Sequence, residues 1–300
     1  MSRVQHLNQT LLPALQFTPK MSTKQQCPWP NGSKAAVSFT MDNLGEAQAV
    51  LSNSHPANVP IGQDPAVLTN LPRILDLLAT HNIKATYFAE SWSLPVYPSA
   101  VADLRARGHE VAWHGFQHEV WKSLGEAEEK ENFSKSFAAA KEYEVAYAGF
   151  RPPGGSINGA RTLSLLKEHG CKYVSPLGDF SIDSESGIVV LPFEWEAVDA
   201  FWYMDTEKFK SIRAEHGVSK TVLGPGDFKE YLEKRIEDVK REGGYMSILF
   251  HPFLTDREER WKVLEETLEI ISKDRDLWIA PCDEVAGWVS EHKNQFSFTS

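Results

Sequence analysis

Cysteine is scarce. Three cysteines in 300 residues, Cys27, Cys171 and Cys282, lie far apart, form no CxxC and cannot all pair. A disulfide framework and a thiolate zinc site are both disfavoured. Long apolar runs are also missing: none approaches the ~18 residues a membrane span needs. Residues 1–20 contain Leu11 and Leu12 but no apolar core of the ~7–15 residues that a secretory signal requires. Bases are outnumbered, 31 Lys and Arg against 41 Asp and Glu, for a net charge of −10. That balance favours solubility and argues against nonspecific binding to nucleic acid or an anionic membrane. The expectation is a cytoplasmic, reduced, acidic globular protein without internal repeats or low-complexity blocks. With 42% apolar and 11% aromatic residues, the chain can bury a sizeable core, as one large domain or two modest ones.

Residues 1–32 are polar and proline-punctuated, ending Cys27-Pro28-Trp29-Pro30-Asn31-Gly32, and read as an extended arm. Beyond them, short β-branched or aromatic runs alternate with amphipathic stretches. Candidate strands fall at 35–41, 84–88, 110–113, 147–150, 172–174, 188–193, 245–250 and 277–280. Residues 65–80 carry Val67, Leu68, Leu71, Ile74, Leu75 and Leu78 at helical spacing, and 257–272 carry Val263, Leu264, Leu268 and Ile271. The alternation predicts an α/β fold with parallel strands and crossover helices. With no compositional break, a single barrel of seven or eight mostly parallel strands over residues 33–292, followed by a tail at 293–300, is the economical reading. Two irregular insertions, 45–63 and 197–226, each follow a candidate strand and are expected to rim one mouth of the barrel.

Four segments carry chemistry, each at a strand end. Trp113-His114-Gly115-Phe116-Gln117-His118-Glu119 places two imidazoles four residues apart, able to meet on one face if the chain turns helically there. Taken alone, such a pair is more often two hydrogen-bonded loop histidines. Ser38-Phe39-Thr40-Met41-Asp42-Asn43 brings an acid to the barrel mouth, although an Asx-turn would use the same residue. Gly149-Phe150-Arg151-Pro152-Pro153-Gly154-Gly155 makes a rigid turn that can aim a guanidinium and backbone N–H groups inward. Ile248-Leu249-Phe250-His251-Pro252 ends an apolar strand on a histidine.

In that order the four segments resemble the polysaccharide deacetylase family (NodB-homology, carbohydrate esterase family 4), whose pattern runs TFDDG, HxxxH, RxPxG and a strand-end histidine. The resemblance spans roughly residues 34–289. Residues 187–204, with Leu191-Pro192-Phe193-Glu194-Trp195 and Asp199, look like the LPxxWxxDD segment of the branch containing allantoinase-like proteins and peptidoglycan-deacetylase-like cyclic amidases. The resemblance implies a distorted (β/α) barrel that hydrolyses a non-peptide C–N bond. It implies a divalent metal on Asp42, His114 and His118, zinc by default with cobalt, nickel or iron as fits. It makes His251 the acid that protonates the leaving amine, and it suggests a homo-oligomer. Pro153, Gly154 and Gly155 would face substrate, the two glycines beside the oxyanion. Trp195 and Trp202, with other aromatics, could line a sugar or ring pocket, although core packing is the commoner use.

The pattern breaks at the first motif, which normally supplies two acids, a base and a ligand. Here only Asp42 remains, with Met41 or Thr40 at the base position. A gapped alignment would instead make Asp42 the base and Asn43 a weak ligand, at the cost of a register slip inside a strand. Substitute carboxylates are Glu46, Asp199 and Glu194. Arg151, without its usual acid, is expected to pair with Asp179, Asp199 or Glu46 or to bind substrate directly, and Asp179 or Asp199 to accompany His251. The expected substrate is a small N-acyl compound or oligosaccharide of the N-acetyl sugar type, or a cyclic amide or ureide. The rival is a family member that binds metal and ligand without turnover.

Overall fold

The computed structural model describes residues 29–218 and 223–296. Nine strands form one sheet: β1 Ala35–Asp42, β2 Thr86–Ala89, β3 Glu110–Trp113, β4 Gly149–Phe150, β5 Tyr173–Val174, β6 Ser181–Ile182, β7 Val189–Val190, β8 Tyr245–Phe250 and β9 Leu277–Ile279. They run in the order β6-β7-β5-β4-β3-β2-β1-β8. β9 pairs with the first half of β1 at Ala35–Val37, and β2 with its second half at Thr40–Asp42. Every described pairing is parallel except β6 with β7. The two ends of the curved sheet are joined by no ladder among the described residues, and Val198, beyond β7, bridges Leu249 of β8 there. The fold is therefore α/β, a barrel left nearly open along one seam.

Burial explains the strands. All eight residues of β1 and all six of β8 are buried, as expected for parallel strands covered on both faces. The covering helices are α1 Ala47–Leu51, α2 Leu71–Thr80, α3 Pro98–Ala106, α4 Glu126–Glu142, α5 Ala160–Glu168, α6 Asp199–Tyr203, α7 Glu207–Glu215, α8 Pro225–Glu242, α9 Glu258–Lys273 and α10 Cys282–Glu291. α2 buries Leu71, Ile74, Leu75 and Leu78, and α8 buries Phe228, Leu232, Ile236 and Val239. Both stripes follow the three-to-four-residue spacing of one helix face. α8 stops at Gly243, whose φ of 77° makes it a left-handed cap. No described helix is long and apolar enough to cross a membrane.

The eight candidate strands fall on β1–β5 and β7–β9, with 147–150 shrinking to two residues and 188–193 to Val189–Val190. β6 has no counterpart among the expectations: two half-buried residues give no periodicity to read. The end of the predicted arm is not extended. Residues 30–32 form a 3₁₀ turn, and Trp29 is buried against Trp278 and Phe296 while its Nε1 donates to the Gly243 carbonyl at 3.1 Å. The rest of the arm, residues 1–28, lies outside the described residues. Phe296, assigned to the tail, is likewise part of this packing; 297–300 lie outside the described residues. Cys171 and Cys282 are free and buried, and Cys27 is not among the described residues.

Gly149 fixes the strand that presents Arg151. A Cβ there would lie 2.1 Å from the Tyr173 ring, and Tyr173 is held from its other side by the Glu110 carboxylate at 2.9 Å. Gly149→Ala is expected to lose about 1–3 kcal/mol of stability through overpacking. Chemical denaturation will measure it, and an unchanged midpoint would show that Tyr173 yields freely.

Candidate metal centre and active site

The two histidines of the third strand end meet, though not on a helix. Residues 114–118 form an irregular loop in which Gly115 and His118 adopt left-handed backbone, φ 80° and 71°. The expected helical turn is replaced by these two reversals, and they bring the imidazole centroids to 4.9 Å. His114 Nδ1 bonds to the Arg151 carbonyl at 2.8 Å. That bond fixes the tautomer, with Nδ1 protonated, and leaves the Nε2 lone pair 3.8 Å from Asp42 Oδ2. Burial is the main cause holding the His114 pKa down to about 3, and it also holds His118 well below the usual range. Both rings are therefore neutral at pH 7, the form that ligates metal. His118 Nδ1 is buried with no hydrogen-bond partner among the described residues.

Asp42 ends β1 with its second oxygen committed. Oδ1 accepts from Arg151 Nη1 at 2.9 Å. The same nitrogen reaches Thr40 Oγ1 at 2.9 Å, while Nε and Nη2 bond to Ser175 and Nη2 to Ser247. The guanidinium also lies 4.1 Å from the Phe88 ring centroid and 5.1 Å from that of Phe193. The expected partners Asp179, Asp199 and Glu46 are not the ones it takes. Its ion-pair partner is Asp42, with the Thr40 hydroxyl accepting from the same nitrogen. Thr40 itself donates to the Ile248 carbonyl at 3.0 Å.

Sequence reasoning missed Glu90, the residue after β2. One of its carboxylate oxygens shares a sphere with ring nitrogens of His114 and His118, all three within 4.8 Å of one another. Its oxygens accept from Asn43 Nδ2 at 2.9 Å and Leu44 N–H at 2.8 Å, and so lock the left-handed turn at Asn43. Burial raises its pKa to about 8, against the pull of those two donors. The one weak signal was an acid two residues past the candidate strand 84–88, a placement too common to single it out.

Across the mouth, Asp199 grips His251. Its Oδ2 accepts the His251 backbone N–H at 2.7 Å and its Oδ1 faces ring Nδ1 at 2.6 Å. Nε2 is thus the ring nitrogen left for substrate. Burial opposes the charged ring, but the Asp199 charge and hydrogen bond prevail and raise the His251 pKa above 6.5. Asp42 adds to that rise, so the ring senses the same chamber.

Other candidates lie elsewhere. Glu46 is a strap rather than a base: it accepts from the Gly62 N–H at 2.5 Å and from Tyr97 Oη, fastening the 45–63 insertion. Glu194 bonds Tyr231 and Arg235, and Asp179 is exposed. Gly154 and Gly155 both have positive φ, and a Cβ on Gly155 would meet Leu177 at 2.7 Å. The Gly155 N–H closes the turn onto the Pro152 carbonyl at 2.9 Å rather than standing free for an oxyanion. Pro153 is buried, its carbonyl accepting from Trp121 N–H at 3.3 Å. Trp195 is half-buried beside Phe193. Trp202 is core instead of pocket, fully buried against Phe228 and Tyr231 with Nε1 on the Glu196 carbonyl.

The sequence model of the family described as "Polysaccharide deacetylase" matches residues 61–174, the stretch holding Glu90, His114, His118 and Arg151. A peptidoglycan deacetylase of Helicobacter pylori is 23% identical over 241 residues, covering 72% of this chain and 82% of that protein. A Mycobacterium smegmatis structure, described as a candidate polysaccharide deacetylase, superposes with a TM-score of 0.77 at 26% identity, over 94% of this chain and 99% of that one. An allantoinase structure shares the fold, TM-score 0.70 at 18% identity, over 93% and 96%. The architecture is thus that of the NodB-like α/β barrels. Over residues 61–174 the chain is similar to the polysaccharide deacetylase family, and its matched relatives include proteins named as deacetylases of peptidoglycan and of chitin.

Two titrations test this electrostatic reading. In the metal-free protein, Glu90 keeps its proton in the folded state up to about pH 8 but loses it near 4.5 when unfolded. Its contribution to stability therefore falls as pH rises through that window, with a limiting slope of about 1.4 kcal/mol per pH unit. Glu90→Gln should remove that slope in urea titrations with chelator present, whatever it does to absolute stability; parallel slopes would show an ionised Glu90. For the second, Asp199→Asn withdraws the charge that holds the His251 pKa up. The ring should then titrate at lower pH by NMR, and a pKa that stays put would deny the pairing.

Proposed function

We propose that this protein is a metal-dependent hydrolase of a non-peptide amide C–N bond, acting on a small N-acyl compound of the N-acetyl sugar type or on a cyclic amide or ureide. The observation that carries the reading is the convergence of two neutral imidazoles and two buried carboxyls opposite a carboxylate-supported histidine. The residues fit a divalent cation on their own chemistry. The His114 lone pair faces a carboxylate oxygen, His118 has a buried nitrogen without a partner among the described residues, and Glu90 stands within ligating reach of both. His114 and His118 would hold the ion, with Asp42 Oδ2 on one flank and Glu90 on the other. A His₂-carboxylate set that leaves positions open is what a catalytic ion needs, and zinc is the default for it. When bound, the ion supplies Lewis-acid polarisation of the scissile carbonyl.

The chain's own groups do the rest. Arg151 immobilises Asp42, so that one oxygen stays aimed at His114. Protonated His251, oriented by Asp199, gives its Nε2 proton to the departing nitrogen. That nitrogen leaves poorly as an anion, so the proton must arrive as the bond breaks. The half-buried Trp195, backed by the buried Phe193, offers flat apolar surface to a sugar or ring.

One observation favours a second reading, a protein that binds metal and ligand without turnover. Met41 or Thr40 aligns with the family's usual base, neither can take a proton from water, and the Thr40 hydroxyl is spent on Arg151 and the Ile248 carbonyl. A positioned base contributes ~10²–10⁴-fold in rate, so its loss slows a hydrolase without abolishing it. Metal content after purification, then acetate or amine release from N-acetyl sugars, hydantoins and ureides, separates the two. Turnover lost on chelation, restored by Zn²⁺ or Co²⁺, and absent in His114→Ala with His118→Ala is the expected result. Stoichiometric metal with ligand binding but no release from any compound would establish the second reading.

A further inference from the structure

An aromatic wall leads from the buried guanidinium to the rim of the mouth. Phe193 lies over Arg151, and its ring meets Trp195 edge-on at 5.3 Å between centroids. Trp195 in turn meets Phe209 edge-on at 5.8 Å. At the outer end stands Lys208, near the start of α7, with its ammonium 5.8 Å from the Trp195 centroid and 5.9 Å from that of Phe209. Those separations are within cation–π reach.

The two cations of this wall are in opposite states. Arg151 is buried and fully satisfied, every N–H bonded and Asp42 as its counter-ion. It has no donor left for a substrate. Lys208 has no acidic partner among the described residues. The acids beside it, Asp205 and Glu207, both turn to Lys210, at 3.0 and 3.1 Å. Partial desolvation of the Lys208 ammonium beside the two rings lowers its pKa. Lys208 is exposed at the rim, yet its charge still reaches both His114 and His118, and its ammonium stands against the Trp195 end of the wall. In a chain of net charge −10, a cation on this rim with no acidic partner among the described residues has its donors open to an anionic ligand.

We propose that Lys208 binds a carboxylate of the substrate, so that the preferred substrate is an N-acyl amine or cyclic ureide carrying a carboxylate on its ring or side arm, with the ring against Trp195. The assignment rests on the hydrolase reading of the same site and narrows its substrate class. The carboxylate is held away from the scissile bond, so it orients the substrate and takes no part in bond making.

Matched pairs test it: N-acetylmuramic acid against N-acetylglucosamine, and hydantoin-5-acetic acid against 5-methylhydantoin. Binding to the metal-loaded protein is measured by calorimetry, and turnover is followed separately. In at least one pair the carboxylate member should bind roughly ten- to a hundredfold more tightly, with the advantage shrinking as salt is raised. Lys208→Met should abolish that preference while leaving the neutral member's affinity unchanged, and Lys208→Arg should keep most of it. Circular dichroism and retained metal content confirm that each variant is folded. No difference within either pair, including failure of all four compounds to bind, overturns the assignment, as does a preference that survives in Lys208→Met. Turnover of neutral members without carboxylate preference overturns it while leaving the hydrolase reading intact. A Lys208-dependent preference in binding without turnover supports it and removes the hydrolase reading instead.

Discussion

The site is organised around one buried guanidinium. Parallel α/β barrels usually fill their interior with layers of apolar side chains, but here Arg151 occupies part of that space. Its five N–H donors reach hydroxyls or a carboxylate on β1, on β8 and just past β5, and its plane rests on Phe88 of β2. A charge so placed is tolerable only when every donor is met and a counter-ion is at hand. Asp42 is the carboxylate that meets it. The acid at the barrel mouth is consequently not free to turn, and its remaining oxygen has one direction left, toward His114.

From that constraint the chamber divides into two halves with different origins. The ends of β1, β2 and β3 supply Asp42, Glu90, His114 and His118, all buried or nearly so, with the rings kept neutral by lost hydration. The opposite half, the end of β8 and the start of α6, supplies His251 and Asp199, where a carboxylate overcomes the same lost hydration and keeps the ring readily charged. Similar burial thus yields opposite protonation tendencies in three imidazoles, and the presence or absence of a directly bonded acid decides which.

Much of this was legible in the sequence because strand ends are legible. Asp42, His114, Arg151 and His251 each follow an apolar run that could only be a buried strand, and parallel topology gathers such ends at one mouth. What escaped notice depends on contacts between segments distant in sequence. Glu90 sits in a run no different from many others, and only its proximity to His118 and Asn43 distinguishes it. Glu46 looked equally well placed four residues past Asp42, but the strap to Gly62 and Tyr97 is set by how the insertion folds back. The helical route expected for the histidine pair failed because two left-handed residues do the turning, and His118 carries no mark of such a backbone. Trp202 was misassigned for a simpler reason: an aromatic on a short buried helix and one on a pocket wall look alike until packing is seen.

The seam of the barrel has a consequence of its own. Ladders tie each neighbour from β7 round to β8, while the remaining gap is crossed by the Val198–Leu249 bridge and, one residue beyond Val198, by the two bonds from Asp199 to His251. The pair that tunes the proton donor is therefore also a clasp on the wall of the barrel. Shape and acidity share one fastening, so any loosening of this edge changes how readily the donor gives up its proton.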